Sequence, residues 1–340
     1  MRRVCAASAL VAMLALRSSA FFVQDQVHSA GAGAQAGSGV LWCAPEDIGS
    51  RNLYDGAGGA QDQPRGEMTF IEEDLSGTNP KLEVRDQDGT RWIVKLGPES
   101  RPEVPASRLV WAVGYFTPED YFLPELTIRG LPPHLRRGQE LVGPGGIVRK
   151  VRLKRHLSGE RKVGAWLWGQ NPFVGTRELD GLRVMMALVN NWDLKDENNA
   201  IYEYTDHPDR PGRVYLVSDL GSSFGPSGMG LSKESSRGDL QSYSRSEFIT
   251  NTTPGEVDFA VPSRPNPLLL FVPWRYISRL GLCWIGRHIP RAHARWIGQI
   301  LARLSVDQVR DAFRAAGYAP EEVEGFARTV EERIARLNQL

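Results

Sequence analysis

The chain has 340 residues, room for two ordinary domains or one large two-part domain at roughly 100–200 residues each. Hydrophobic residues at 41% and charged residues at 24% exclude a wholly disordered, collagenous or coiled-coil protein. Lys+Arg 41 against Asp+Glu 40 leaves a net charge of +1, without the bulk basicity of a dedicated nucleic-acid binder, and three cysteines are too few for a disulfide scaffold or a clustered zinc site.

Arg2 and Arg3 precede an uncharged stretch at 4–16, and Ser18-Ser19-Ala20 supplies small residues beyond it, so residues 1–20 read as a secretory signal peptide. The apolar run falls short of the about 20 residues that span a bilayer, and no second candidate span appears; the apolar stretch at 268–272 is brief. A secreted or periplasmic location follows as an expectation. Residues 1–20 carry three arginines and no acid, so the remainder holds 38 basic against 40 acidic residues. Cys43 and Cys283 remain there and can pair in an oxidising compartment. Residues 21–67 read as linker and irregular lead-in: 29–39 is SAGAGAQAGSG, and 44–67 holds few apolar anchors.

Ordered structure is expected from Met68. Strands are predicted at 68–73, 82–85 and 91–96, with Asp88-Gly89 as the hairpin turn between the last two. The glycine turn Ser76-Gly77-Thr78-Asn79-Pro80-Lys81 joins the first two; such a turn is an ordinary hairpin loop or a cradle for phosphate oxygens. A helix opens at Pro102, with Pro105 in its first turn and Ala106, Leu109, Val110 and Val113 at helical spacing. The stretch 148–156 alternates apolar and basic residues, an amphipathic strand with one solvated face or a phosphate-binding patch. Thr176 opens a second helix through Leu179, Leu182, Met186 and Val189.

That helix runs into Asn190-Asn191-Trp192-Asp193-Leu194-Lys195-Asp196-Glu197-Asn198, and a strand at 214–217 runs into Ser218-Asp219-Leu220-Gly221. Asp193-Leu194-Lys195-x-Glu197-Asn198 resembles the catalytic loop of protein kinases, and Asp219-Leu220-Gly221 resembles their metal-binding Asp-Phe-Gly element. The order of parts is also similar: glycine turn, strand lysine Lys95, helix glutamate Glu103 with Glu99 as a less well placed rival, long helix, Asp-x4-Asn loop, strand, Asp-Leu-Gly. No GxGxxG precedes Lys95, no His-Arg precedes Asp193 and no Ala-Pro-Glu follows Gly221. The pattern is therefore more similar to the atypical kinases: the HipA-like and phosphatidylinositol-kinase-like group and the secretory-pathway kinases.

That resemblance covers residues 68–225 and implies an α+β, two-lobed kinase-like fold, with a small β-rich N-lobe at 68–165 and a mainly helical C-lobe at 166–340. It implies ATP- and Mg²⁺- or Mn²⁺-dependent transfer of a phosphoryl group to a hydroxyl acceptor. In that reading Asp193 orients the acceptor and takes its proton, Lys195 lies beside the transferring group, and Asn198 and Asp219 hold metal. Lys95, paired with Glu103, grips phosphates, and Ser76, Gly77 and Thr78 form the phosphate turn. Because ATP is scarce outside the cytoplasm, the alternative is a kinase-like module that binds a nucleotide or partner without turnover; nucleotidyl transfer from the same site is a lesser one.

Residues 222–247, rich in Ser and Gly, stand where a kinase carries its activation or substrate loop. Ser305-x-x-Gln308 is a capping box, and Pro320 opens a helix with Val323, Phe326, Val330, Ile334 and Leu337 on one face. Arg287, His288, Arg291, His293 and Arg295 read as a solvated basic helix face and not as a metal site.

Overall fold

The computed structural model describes residues 39–205, 212–225, 237–261 and 281–340. The expected signal peptide, the stretch 268–272 and residues 226–236 of the stretch 222–247 lie outside these residues.

Three strands, β1 (Met68–Asp74), β2 (Lys81–Arg85) and β3 (Arg91–Lys95), pair antiparallel in chain order. The β2–β3 hairpin turns at the expected pair: Gly89 takes φ +88°, and Asp86 Oδ1 accepts from the Asp88 and Thr90 amides. β4 (Asp120–Arg129) lies parallel to β1; the short β5 (Val142–Gly143) edges β6 (Ile147–Arg155), which pairs antiparallel with both β4 and β3. Since β3 returns to β6, five strands close into a barrel in the order β1-β2-β3-β6-β4. Met68, Leu82, Val84, Trp92, Val94, Leu126, Ile128, Val148, Val151 and Leu153 fill it.

Side chains alternate across a strand, so the cross-strand pair Val94–Leu153 inside the barrel puts the next pair, Lys95–Arg152, on its outer face. That face is covered by α1 (Ser100–Ala112). The helix starts two residues before Pro102, at Ser100, where the Glu99 carbonyl accepts from the Glu103 amide at 3.4 Å, and Pro105 consequently falls in its second turn. The expectation of one solvated face on 148–156 therefore fails at its centre. Arg149 and Lys150 are exposed, but Arg152 is only 5% exposed beneath α1.

A second sheet joins β7 (Glu160–Gly164), β8 (Asn199–Tyr204) and β9 (Arg213–Val217). Between β7 and β8 runs α2 (Arg177–Leu188), capped as expected by Thr176, whose Oγ1 accepts from the Leu179 amide. Then come α3 (Leu240–Arg245), β10 (Ile249–Thr252), β11 (Glu256–Phe259), β12 (Ile289–Pro290), α4 (Arg291–Leu301), α5 (Val306–Arg314) and α6 (Pro320–Asn338). The Ser305–Gln308 capping box is present, and the five apolar residues of α6 are all buried. Phe326 stacks on Phe313 at 4.8 Å and meets Phe224 edge-on at 5.9 Å. This aromatic cluster seats the chain just beyond Asp219 on the helical core, which leaves the preceding residues in a fixed position. No described helix is long and apolar enough to cross a membrane.

Two expectations are corrected, and the pairing of Cys43 with Cys283, left open by the sequence, is answered. Order begins before Met68: Leu41, Ile48 and Leu53 are buried, and Gln308 Nε2 donates to the carbonyls of Ile48 and Arg51 at 2.8 Å, so a segment without regular structure is held by backbone hydrogen bonding and a few deep anchors. Cys43 and Cys283 are free thiols. The basic run is not one helix face, because Arg287 and His288 precede α4, His288 takes φ +54°, and His293 bonds the buried Asp180 at 2.8 Å.

Candidate active site

Lys95 ends β3 on the outer face of the barrel, and its ammonium meets three carboxylates: Glu99 at 2.9 Å, Glu103 at 3.0 Å and Asp219 at 3.0 Å. Residues 95, 99 and 103 are four apart, so the strand exit and the first turn of α1 present both glutamates to the lysine, and acids there also suit the helix dipole. Glu103 places its other oxygen 2.9 Å from Arg152, which in turn lies 3.5 Å from Asp120. Burial opposes charge on Lys95, but Glu103, Asp219 and Glu99 outweigh it and raise its pKa above the ordinary lysine value. Burial pushes the Glu103 carboxyl up, to about 7, against the pull of Arg152 and Lys95. The cations on its two oxygens, Lys95 and Arg152, favour the ionised form of Glu103 against that burial.

The second half of the site comes from two segments distant in sequence. In the β8–β9 ladder Asn199 pairs with Val217, and the Ser218 amide donates to the Asn198 carbonyl at 2.8 Å, so Asn198 and Asp219 leave the same end of the hairpin side by side. Asn198 Nδ2 donates to the Asp193 carbonyl at 2.6 Å, folding the Asp-x4-Asn loop on itself and leaving the amide oxygen as the atom that could hold a cation. Asn191 Oδ1 accepts from the Asp193 amide at 3.1 Å, while its Nδ2 donates to the Asp219 carbonyl at 3.5 Å. A buried amide thus fastens the loop to the Asp-Leu-Gly turn, at the position where the His-Arg of conventional kinases is missing. Lys195 pairs with Asp193 Oδ1 at 3.3 Å.

Burial pushes the Asp219 carboxyl up, but Lys95 and the Gly221 amide outweigh that and lower its pKa to about 2. A folded pKa below the unfolded one means the pair stabilises the fold above about pH 4, and that this stabilisation is lost as pH falls through 2. The melting temperature of the native chain should therefore exceed that of Asp219→Asn most above pH 4, and the gap should close as pH approaches 2. A gap constant over that range would show that the pair contributes nothing.

The structure brings together Lys95, Glu103, Asp193, Lys195, Asn198 and Asp219, and Glu99 with them. Ser76, Gly77 and Thr78 sit exposed at the tip of the β1–β2 turn, with Ser76 Oγ accepting from Lys81 at 2.8 Å. Among the described residues the turn reaches the cluster through Asn79, whose Nδ2 donates to Glu99 Oε2. Sequence reasoning assigned no site role to Arg152 individually, placed Asn79 only as part of the glycine turn, and missed Arg237, which lies 2.8 Å from Glu99 Oε1 and over the Trp192 ring at 5.1 Å. The basic alternation of 148–156 marked Arg152 only as one of several cations, the register of β6 against β3 selected it, and nothing local marked Arg237.

The donor set suits a nucleotide with a divalent cation. Among the described residues no three His, Cys, Asp or Glu are grouped to hold a metal. Mg²⁺ in phosphoryl-transfer sites needs no such group, since one or two oxygen ligands such as Asp219 and Asn198 suffice beside phosphate and water.

No protein-family model and no curated protein matches the chain. Among solved structures, the chain is similar to the Helicobacter pylori proinflammatory kinase CtkA at TM-score 0.44 and 11% identity, over 81% of this chain and 98% of that one. It is similar to the Golgi casein kinase at TM-score 0.31 and 8% identity, and to that kinase with Mn/ADP bound at TM-score 0.28 and 9% identity, each over 80% of this chain and 75% of the other. Likeness at that level decides neither fold nor activity for this chain.

Proposed function

We propose that the chain is an atypical-kinase-like phosphotransferase, two-lobed, with the barrel and α1 forming the smaller lobe. It transfers the γ-phosphoryl group of ATP to a hydroxyl acceptor, with Mg²⁺ or Mn²⁺. One observation carries the reading: Lys95, Glu103 and Asp219, separated by 8 and 124 residues in sequence, meet at 3.0 Å beside the loop that holds Asp193 and Asn198. Asp219 keeps 36% of its side chain exposed while paired with the buried Lys95, so a metal ion can reach its carboxylate.

In this reading Lys95 holds phosphate oxygens, and Glu103, itself fixed by Arg152, sets its position. Asp219 and Asn198 hold the cation, which when bound neutralises charge on the phosphates. Asp193 orients the acceptor hydroxyl and takes its proton as the oxygen attacks the γ-phosphorus; the bond from that phosphorus to the β–γ bridging oxygen breaks, ADP leaves with the electron pair, and Lys195 offsets charge on the transferring group. With residues 1–20 as a secretory signal, the proposed site of action is secreted or periplasmic.

The test incubates the purified full chain with γ-labelled ATP, with and without Mg²⁺ or Mn²⁺, beside Asp193→Asn and Asp219→Asn. Cation-dependent label transfer or hydrolysis, lost in both variants, is the expected result. Nucleotide-induced thermal stabilisation without turnover would instead identify a binding module, and neither signal would refute both readings.

A further inference from the structure

Glu99 is the least explained member of the cluster. Glu103 already pairs with Lys95, and its second oxygen is committed to Arg152 on the barrel. Glu99 precedes α1 and is held by three donors from three separate segments. Lys95 Nζ from β3 and Asn79 Nδ2 from the β1–β2 turn bond its Oε2, and Arg237 from the chain beyond Asp219 bonds its Oε1 at 2.8 Å. The carboxylate is 5% exposed and pressed against the Asp-Leu-Gly turn: a Cβ on Gly221 would lie 2.7 Å from Glu99 Cβ, and 3.1 Å from both Glu99 Oε2 and Lys95 Nζ. An ammonium, a guanidinium and an amide converging on one buried anion are the donors that bind a phosphate group.

From this convergence we infer that Glu99 is an internal stand-in for phosphate, and that Arg237 is a further phosphate-binding residue. The inference rests on the phosphotransferase reading above. A triphosphate must take Lys95, Arg237 and Asn79 from Glu99, so the glutamate competes with nucleotide. Arg237 also stacks over Trp192, next to Asp193, so a nucleotide that engages Arg237 tethers the chain beyond Asp219 to the catalytic loop. Gly221 is required because any side chain there would occupy the space of the competing carboxylate.

The experiment is calorimetric titration of the full chain and its variants with ATP, adenosine and inorganic tripolyphosphate. Glu99→Gln keeps the shape and removes the charge, and Lys95 retains Glu103 and Asp219. The variant should bind ATP and tripolyphosphate about tenfold or more tighter than the native chain, since the competitor at a charge-assisted contact is gone. Adenosine, without phosphate, should bind equally to both. Arg237→Ala in the Glu99→Gln background should reverse the gain, and Glu103→Gln, which removes the same charge without touching Arg237 or Asn79, should show none. Should Glu99→Gln fail to fold, Glu99→Ala makes the same comparison.

If the native chain binds ATP and neither Glu99 variant gains, or Glu103→Gln gains equally, the inference is overturned and the phosphotransferase reading stands. If no form binds ATP or tripolyphosphate, both fall.

Discussion

Asp193→Asn is expected to lower phosphoryl transfer by about 100- to 10,000-fold, the usual cost of losing a positioned general base. The loop should survive the change, because its internal bond uses the Asp193 carbonyl, which accepts from Asn198, and its amide, which donates to Asn191. The variant should therefore keep the native melting temperature and the native stabilisation by nucleotide with Mg²⁺, while single-turnover transfer of label collapses. This pairing separates a proton acceptor from a structural residue. Transfer at the native rate would remove Asp193 from the chemistry, and a parallel loss of nucleotide binding would make it a binding residue instead.

Arg152→Ala should destabilise the protein by about 3–5 kcal/mol, the typical penalty for removing one partner of a buried ion pair. Glu103 and Asp120 are each 1% exposed, and Arg152 is the cation between them, at 2.9 and 3.5 Å. Without it Asp120 keeps the Ser107 hydroxyl at 2.9 Å, and Glu103 keeps Lys95. Glu103 would then be a buried carboxylate with one cation already shared among three acids. Urea denaturation followed by circular dichroism measures the loss, and a change below about 1 kcal/mol would show that the network relaxes around the gap. Because Glu103 positions Lys95, any residual folded protein should also bind nucleotide more weakly.

The parts legible in the sequence are those governed by local rules. Trp92-Ile93-Val94-Lys95 reads as a strand from its residue types, and it forms β3. Thr176, Ser305 and Pro320 open helices where their side chains or ring predict, since a cap acts within one turn. The Asp-x4-Asn loop and Asp-Leu-Gly were likewise legible, since one short segment brings its own spacing. The lead-in at 44–67 was not, because its order comes from contacts with Gln308, more than 250 residues away, and not from any periodicity. The alternation of 148–156 gave the strand and misjudged Arg152, since a pattern of period two names two faces without saying what covers each.

By itself, then, the sequence determined β1, β2, β3, β6 and β9, the helices opened by Thr176, Ser305 and Pro320, and the identity of the residues that carry charge. Tertiary structure alone decided which charges meet. The closure of β3 on β6 set Lys95 beside Arg152, the packing of α1 on that face delivered Glu99 and Glu103, and the β8–β9 register placed Asn198 against Asp219. Arg237, Asn79 and Asn191 became site residues by the same route. The reason is physical: propensity and capping act over a few residues, whereas an ion pair between Lys95 and Asp219 exists only once the intervening chain has folded and excluded water from around it.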